Sequence, residues 1–224
     1  MSATAVQVGS VSRGDRPAAR RGRPGPARRK TPYRRKPEGM TLEQWQIALR
    51  HEFGADQKYR LKNLGGGPVF SEFAVSNPQS ARTYRIVIRG RNPGDSFCNC
   101  PDFAVNTLGT CKHVGFVLSR LERKPGARSA LERGFHPAHP EIFLRYGAKR
   151  DVVFRAAGDG SPSLRGLVSR HFGADGALKP EAYARFETFL REASSRDRAL
   201  RCYEDALAYV AQVRDQARLR ERVD

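Results

Sequence analysis

The sequence predicts an α+β fold: a small ββα unit with a helix before it, a mostly helical C-terminal region after it, and a disordered basic tail in front. Three observations carry this. Tyr84, Ile86 and Ile88 alternate with Arg85, Val87 and Arg89, the period of a half-buried strand. Val114, Val117, Leu118 and Leu121 recur on one helical face. Between these segments, Cys98-Asn99-Cys100 and Cys111-Lys112-His113 form two close pairs of ligand-type residues, separated by ten residues.

The tail is residues 1–38, rich in Arg, Pro and Gly, and it carries eleven Lys/Arg against Asp15 and Glu38. Half of the chain's net charge of +18 therefore lies on this arm. With few large apolar side chains it cannot offset the entropy of ordering, so disorder is expected. Contact with polyanions there would be unspecific.

Order is expected to begin at Met40. Thr41-Leu42-Glu43-Gln44 reads as a capping box, with Met40 placed to staple onto Trp45. Leu42, Trp45, Ile47, Leu49 and Phe53 give the first helix its apolar surface, and Gly54 ends it. His51 near that end is explained by the helix dipole. Gly65-Gly66-Gly67 is a loop, because no G-K-[ST] follows to make a phosphate cradle.

Two strands are predicted, Val69 to Val75 and Arg82 to Arg89, joined at Asn77-Pro78. Arg91 to Asp95 turns the chain into Phe97 and the first Cys pair. Residues i and i+2 of an extended segment point the same way, so C-x-C suits a strand end. The second pair opens a helix from Cys111 to about Arg123, and Phe103 is expected to pack beneath the cluster. Three sulfurs and one imidazole complete a tetrahedral zinc site, so Cys98, Cys100, Cys111 and His113 are the predicted metal ligands. A disulfide is disfavoured, because Cys98 and Cys100 are too close to bridge comfortably. Cys202, the fourth cysteine, sits among Leu200, Tyr203, Leu207, Val210 and Val213 and reads as a small core residue.

The same residues resemble a known family, the SWIM zinc finger, whose pattern is C-x-C-x(n)-C-x-H. Cys98, Cys100, Cys111 and His113 fill its four positions, and C-N-C-P-D-F and C-K-H-V look typical of it. The stretch from Met40 to the R-C-Y-E-D-A-L-A-Y run at 201–209 looks like the region preceding the motor in bacterial SWI/SNF-type helicases. The resemblance implies a zinc module that binds DNA, with RNA as a further candidate. Its alternative is an adaptor that docks a helicase or ATPase partner without touching DNA. It would place a motor after the last helix, leaving a truncated form, a split form and a free-standing accessory open.

Basic residues supply candidate contacts. Arg85, Arg89 and Arg91 share one parity and form a stripe if the outer strand face is free. Arg82 has the opposite parity and joins only from the strand end, while Lys112 projects from between two ligands.

From residue 125 to 224 the pattern is mainly helical, following a finger domain over 40–124. Pro125 closes the finger helix, and the prolines flanking His136 and His139 make that H-x-x-H a loop more readily than a second metal site. Asp151 to Arg155 is a short strand. Pro162 opens a helix carrying Leu164, Leu167, Val168 and Phe172, with His171 packed beside it, and Pro180 opens another carrying Tyr183, Phe186, Phe189 and Leu190. The last helix is expected from about Arg198 towards Asp224, with Leu200, Tyr203, Leu207, Val210, Val213 and Ala217 as its packing stripe.

An enzyme is not expected. The chain has no Walker-type loop and no acidic magnesium box, and four protein ligands leave zinc no open position. Asp151, Asp159, Glu181 and Glu187 are accounted for by turns, helix starts and solvated faces, and nothing points to a small-molecule substrate. No segment is apolar enough to span a membrane. Reduced thiols and a zinc site fit a cytoplasmic protein, associated with the nucleoid where it meets DNA.

Overall fold

The computed structural model describes residues 30–158 and 160–222. The expected disordered arm therefore lies, up to residue 29, outside the described residues, as do Asp159 and the final two positions. Thr31 and Pro32, assigned to that arm from sequence, are instead held against the first helix. The Glu52 carboxylate accepts the Thr31 N–H at 2.9 Å. The Trp45 indole donates to the Pro32 carbonyl at 2.7 Å.

That helix, α1 (Leu42–Ala55), begins with the predicted reciprocal cap between Thr41 and Gln44. Leu42 and Phe53 remain more than half exposed, so the apolar surface expected of α1 is only partly used. Its closest approach to the body is instead a glycine contact. A Cβ on Gly54 would collide with the Lys112 carbonyl, and one on Gly115 would lie 2.6 Å from the His51 Cα. Missing side chains at both positions let α1 lie directly against α3 (Lys112–Leu121).

Four strands form an antiparallel sheet in chain order: β1 (Arg60–Asn63), β2 (Glu72–Ser76), β3 (Thr83–Val87) and β4 (Phe97–Cys98). Phe73 opposes Ile86, Val75 opposes Tyr84, and Ile86 opposes Cys98. Phe73, Val75, Ile86 and Cys98 are all buried. A short helix, α2 (Pro101–Val105), fills part of the gap between the Cys pairs. The core under α3 joins Phe73, Ile86, Phe103, Phe116 and Leu121, and it reaches Leu131 on α4 (Ala127–Arg133), a helix the sequence reading did not assign.

The C-terminal half holds more strand than expected. β5 (Glu141–Arg145) is the centre of a three-stranded sheet. It pairs antiparallel with β6 (Asp151–Arg155) and parallel with β7 (Arg201–Cys202). Around it lie 3-10 turns at Pro162–Leu164 and Pro180–Arg185, with α5 (Arg165–His171), α6 (Phe186–Arg196) and α7 (Glu204–Arg220). Ile142, Val152, Leu164, Leu167, Phe186, Phe189 and Ala206 make a second core. The last helix starts at Glu204 rather than near Arg198, because the preceding residues are held as strand. Arg201 N–H donates to the Pro140 carbonyl and Tyr203 N–H to that of Ile142, each at 3.0 Å. Only Ala206 and Val210 of α7 are buried, and Leu207 is exposed, so the predicted packing stripe is narrower than its periodicity. Among the described residues, no helix is long and apolar enough to cross a membrane.

Candidate metal centre

Cys98 ends β4, where pairing with Ile86 aims its side chain into the core. Asn99, between the first two thiols, is locked across the strand. Its N–H donates to the Arg85 carbonyl at 3.2 Å, and its side-chain oxygen accepts the Arg85 N–H at 2.8 Å. The turn to Cys100 is thereby fixed. Cys100 is the N-cap of α2, its sulfur accepting the Phe103 N–H at 3.4 Å. Phe103 lies 1% exposed against Phe97, beneath the cluster as expected.

Cys111 is the N-cap of α3, and His113 falls in its first turn. The approach to Cys111 is held from two sides. Asn106 donates its side-chain N–H to the Thr110 carbonyl at 3.0 Å, and the Thr110 hydroxyl lies 2.8 Å from His51 Nε2. His51 therefore supports the second pair; it lies before the last turn of α1, which Asp56 caps, so the helix-end role expected of it is not the one it plays. Sequence reasoning missed Asn99, Asn106 and Thr110, whose roles come from partners that spacing does not reveal.

The four ligand atoms lie within 4.8 Å of one another, and all four residues are buried. His113 Nδ1 is 3.9 Å from the sulfurs of both Cys98 and Cys111. Tetrahedral zinc bonds of about 2.0–2.3 Å place neighbouring ligand atoms about 3.5–3.8 Å apart, so the donor set and its spacing fit that ion. The cysteines are free thiols. Hydrogen bonds from Cys111 and Cys98 hold the Cys100 thiol well below its ordinary range. Hydrogen bonding to Cys100 pushes Cys98 upward, and pushes Cys111 up to about 12. Among the described residues this is the only group of three or more potential ligands. His136 is exposed and His139 half-buried, in the loop before β5.

Most of the predicted basic stripe is tied up by carboxylates. Arg85 donates to Glu72 at 2.6 Å, which raises its pKa. Arg91 donates to Glu122 at 3.2 Å, with the same effect. Arg89 turns inward, because β3 ends at Val87 and the chain leaves the strand there. It is 6% exposed and faces Glu141. Arg82 and Lys112, which strand parity does not relate, instead line one cavity of about 190 Å³ beside the metal cluster. The rings of Tyr84 and Tyr59 flank His113 there, with centroids at 4.5 and 5.4 Å. Comparison with protein-family models, curated proteins and solved structures finds no match to this chain.

Proposed function

We propose that this chain is a SWIM-type zinc module that binds nucleic acid and has no catalytic activity of its own. The observation that carries the reading is the buried Cys98–Cys100–Cys111–His113 cluster, with Arg82 and Lys112 on the cavity beside it. Zinc is the ion that three thiols and an imidazole select, and four protein ligands make it structural. It ties the end of β4 to the start of α3 and so holds the hairpin bearing Arg82 beside the helix bearing Lys112.

The experiment is a titration of zinc-loaded protein with labelled DNA and RNA at several salt concentrations. It compares the full chain with one beginning at Thr31. A nucleic-acid module loses affinity as salt rises, with a slope of roughly −0.9 per duplex phosphate contacted. Binding that disappears with residues 1–30 would assign the contact to the tail and sink the reading for the folded part.

A second reading is an adaptor that docks a helicase or ATPase partner. It is favoured by the capture of Arg85, Arg89 and Arg91 by carboxylates, which leaves less free cationic surface than the sequence suggests. A saturable, salt-tolerant contact with such a partner, in the absence of nucleic acid binding, would select it.

A further inference from the structure

The cavity beside the metal cluster has a composition that narrows its ligand. At about 190 Å³ it is smaller than the roughly 300 Å³ at which small-molecule sites begin, so it suits one unit of a longer chain. Its rim carries Arg82, exposed at the start of β3, and Lys112, whose ammonium lies 5.6 Å from the Phe53 ring. The cavity also has one carboxylate, Asp102, which is neutralised by Arg50 at 3.2 Å. The site therefore keeps a net positive rim. Its walls include two half-buried tyrosines, Tyr59 and Tyr84, each packed against the His113 ring.

Resting on the nucleic-acid reading above, we infer that this cavity takes one unstacked base of a single-stranded nucleic acid, with Arg82 and Lys112 on the adjoining phosphates. Aromatic walls with cations at the rim match a base joined to phosphate. An acidic peptide would satisfy the cations and make no use of the half-buried tyrosines, which rest on the His113 ring. A duplex keeps its bases stacked and paired, so it presents only phosphates to such a cavity. The cavity's lining comes from the hairpin between β2 and β3 (Asn77, Ser80 and Arg82), the start of α2 and the start of α3.

The test uses the full-length, zinc-loaded chain. Single-stranded oligonucleotides carrying 5-iodouracil are photocrosslinked to it, and the modified peptides are identified by mass spectrometry. In parallel, affinity is measured for single-stranded and duplex forms of one sequence, for the parent and for Arg82→Ala and Tyr59→Ala. Crosslinks are expected at Tyr59 or Tyr84, with single-strand affinity falling about five-fold or more in Tyr59→Ala and duplex affinity little changed. Arg82→Ala alters an exposed side chain, so its loss of single-strand affinity is read on an intact fold. Crosslinks confined to residues 1–38, or equal competition by a polyglutamate peptide, would overturn the inference. Equal binding of duplex and single strand, unaffected by either variant, would overturn it while leaving the nucleic-acid reading standing. An absence of binding to either form would end both.

Discussion

Arg89 and Glu141 form a buried ion pair, Nε to Oε1 at 3.6 Å, between the segment after β3 and the first residue of β5. The two side chains are 6% and 1% exposed. Arg155 approaches the same carboxylate oxygen at 3.5 Å, and the Tyr203 hydroxyl donates to the other at 3.2 Å. Phe143 and Tyr203 lie under the Arg89 guanidinium, with centroids at 5.0 and 4.7 Å. A positive charge that the sequence pattern would place in solvent thus joins the sheet that carries the Cys/His cluster to the C-terminal sheet.

Removing the carboxylate alone should be costly. Glu141→Gln leaves Arg89 and Arg155 facing each other with little water, and breaking a buried pair in this way costs about 3–5 kcal/mol. The triple variant Arg89→Met/Glu141→Leu/Arg155→Leu removes all three charges and should recover most of the loss. Urea denaturation of the parent and the variants measures this. A Glu141→Gln protein as stable as the parent would show that the pair holds nothing together.

Loss of a ligand should unfold the metal region locally. Structural zinc contributes about 10–16 kcal/mol of apparent binding free energy in finger peptides, and Cys100→Ala or Cys111→Ala removes a quarter of the ligand set. Bound zinc should fall in elemental analysis, and proteolysis should open the segment from Cys98 to Leu121. Zinc binds thiolates and neutral imidazole, so protons compete with it for the four ligands and zinc affinity should weaken as pH falls. Unchanged circular dichroism and protease resistance in both variants would refute a structural role for the ion.

The Cys/His cluster was legible because its signal is local. Cys98 with Cys100, and Cys111 with His113, each lie two residues apart, and the capping box of α1 is equally short-range. β1 was not legible, since Leu61 is the one apolar residue among Arg60, Lys62 and Asn63, and its strand character comes from pairing with β2. β5 reads as an apolar run without alternation, and its neighbours β6 and β7 lie on different stretches of the chain. The partners of the basic stripe were not legible for the same reason. Parity says where a side chain on a strand points, but the fates of Arg85, Arg89 and Arg91 depend on Glu72, Glu141 and Glu122, which parity does not locate. The cavity was also invisible, because Tyr59 precedes β1 and meets Tyr84 and Lys112 only after folding.

The contact between α1 and α3 gives an inverted expectation for glycine replacement. Alanine in a helix normally gains about 1 kcal/mol over glycine. At Gly54 and Gly115 the added methyl meets the opposing helix, so each substitution should instead destabilise by about 1–3 kcal/mol. Gly166→Ala in α5 is the control, since a Cβ at that helical position meets nothing within 4 Å. Chemical denaturation of the three variants decides it. A stabilised Gly54→Ala would mean that α1 can move away from α3 at little cost.

Cys202 supplies a dependence on alkaline pH. Burial, followed by the charge of Asp205, pushes its thiol up to about 12 from an ordinary 9.0. The folded chain therefore keeps the proton over a range in which the unfolded chain has lost it. The associated stability is present below about pH 9 and declines as pH rises towards 12, because unfolding then releases a proton. Comparison with Cys202→Ala isolates this group, since the three metal-site thiols are common to both proteins. Stability measured from about pH 8 to pH 10 should fall more steeply in the parent than in the variant. Parallel declines would show that the Cys202 thiol ionises as readily in the fold as outside it.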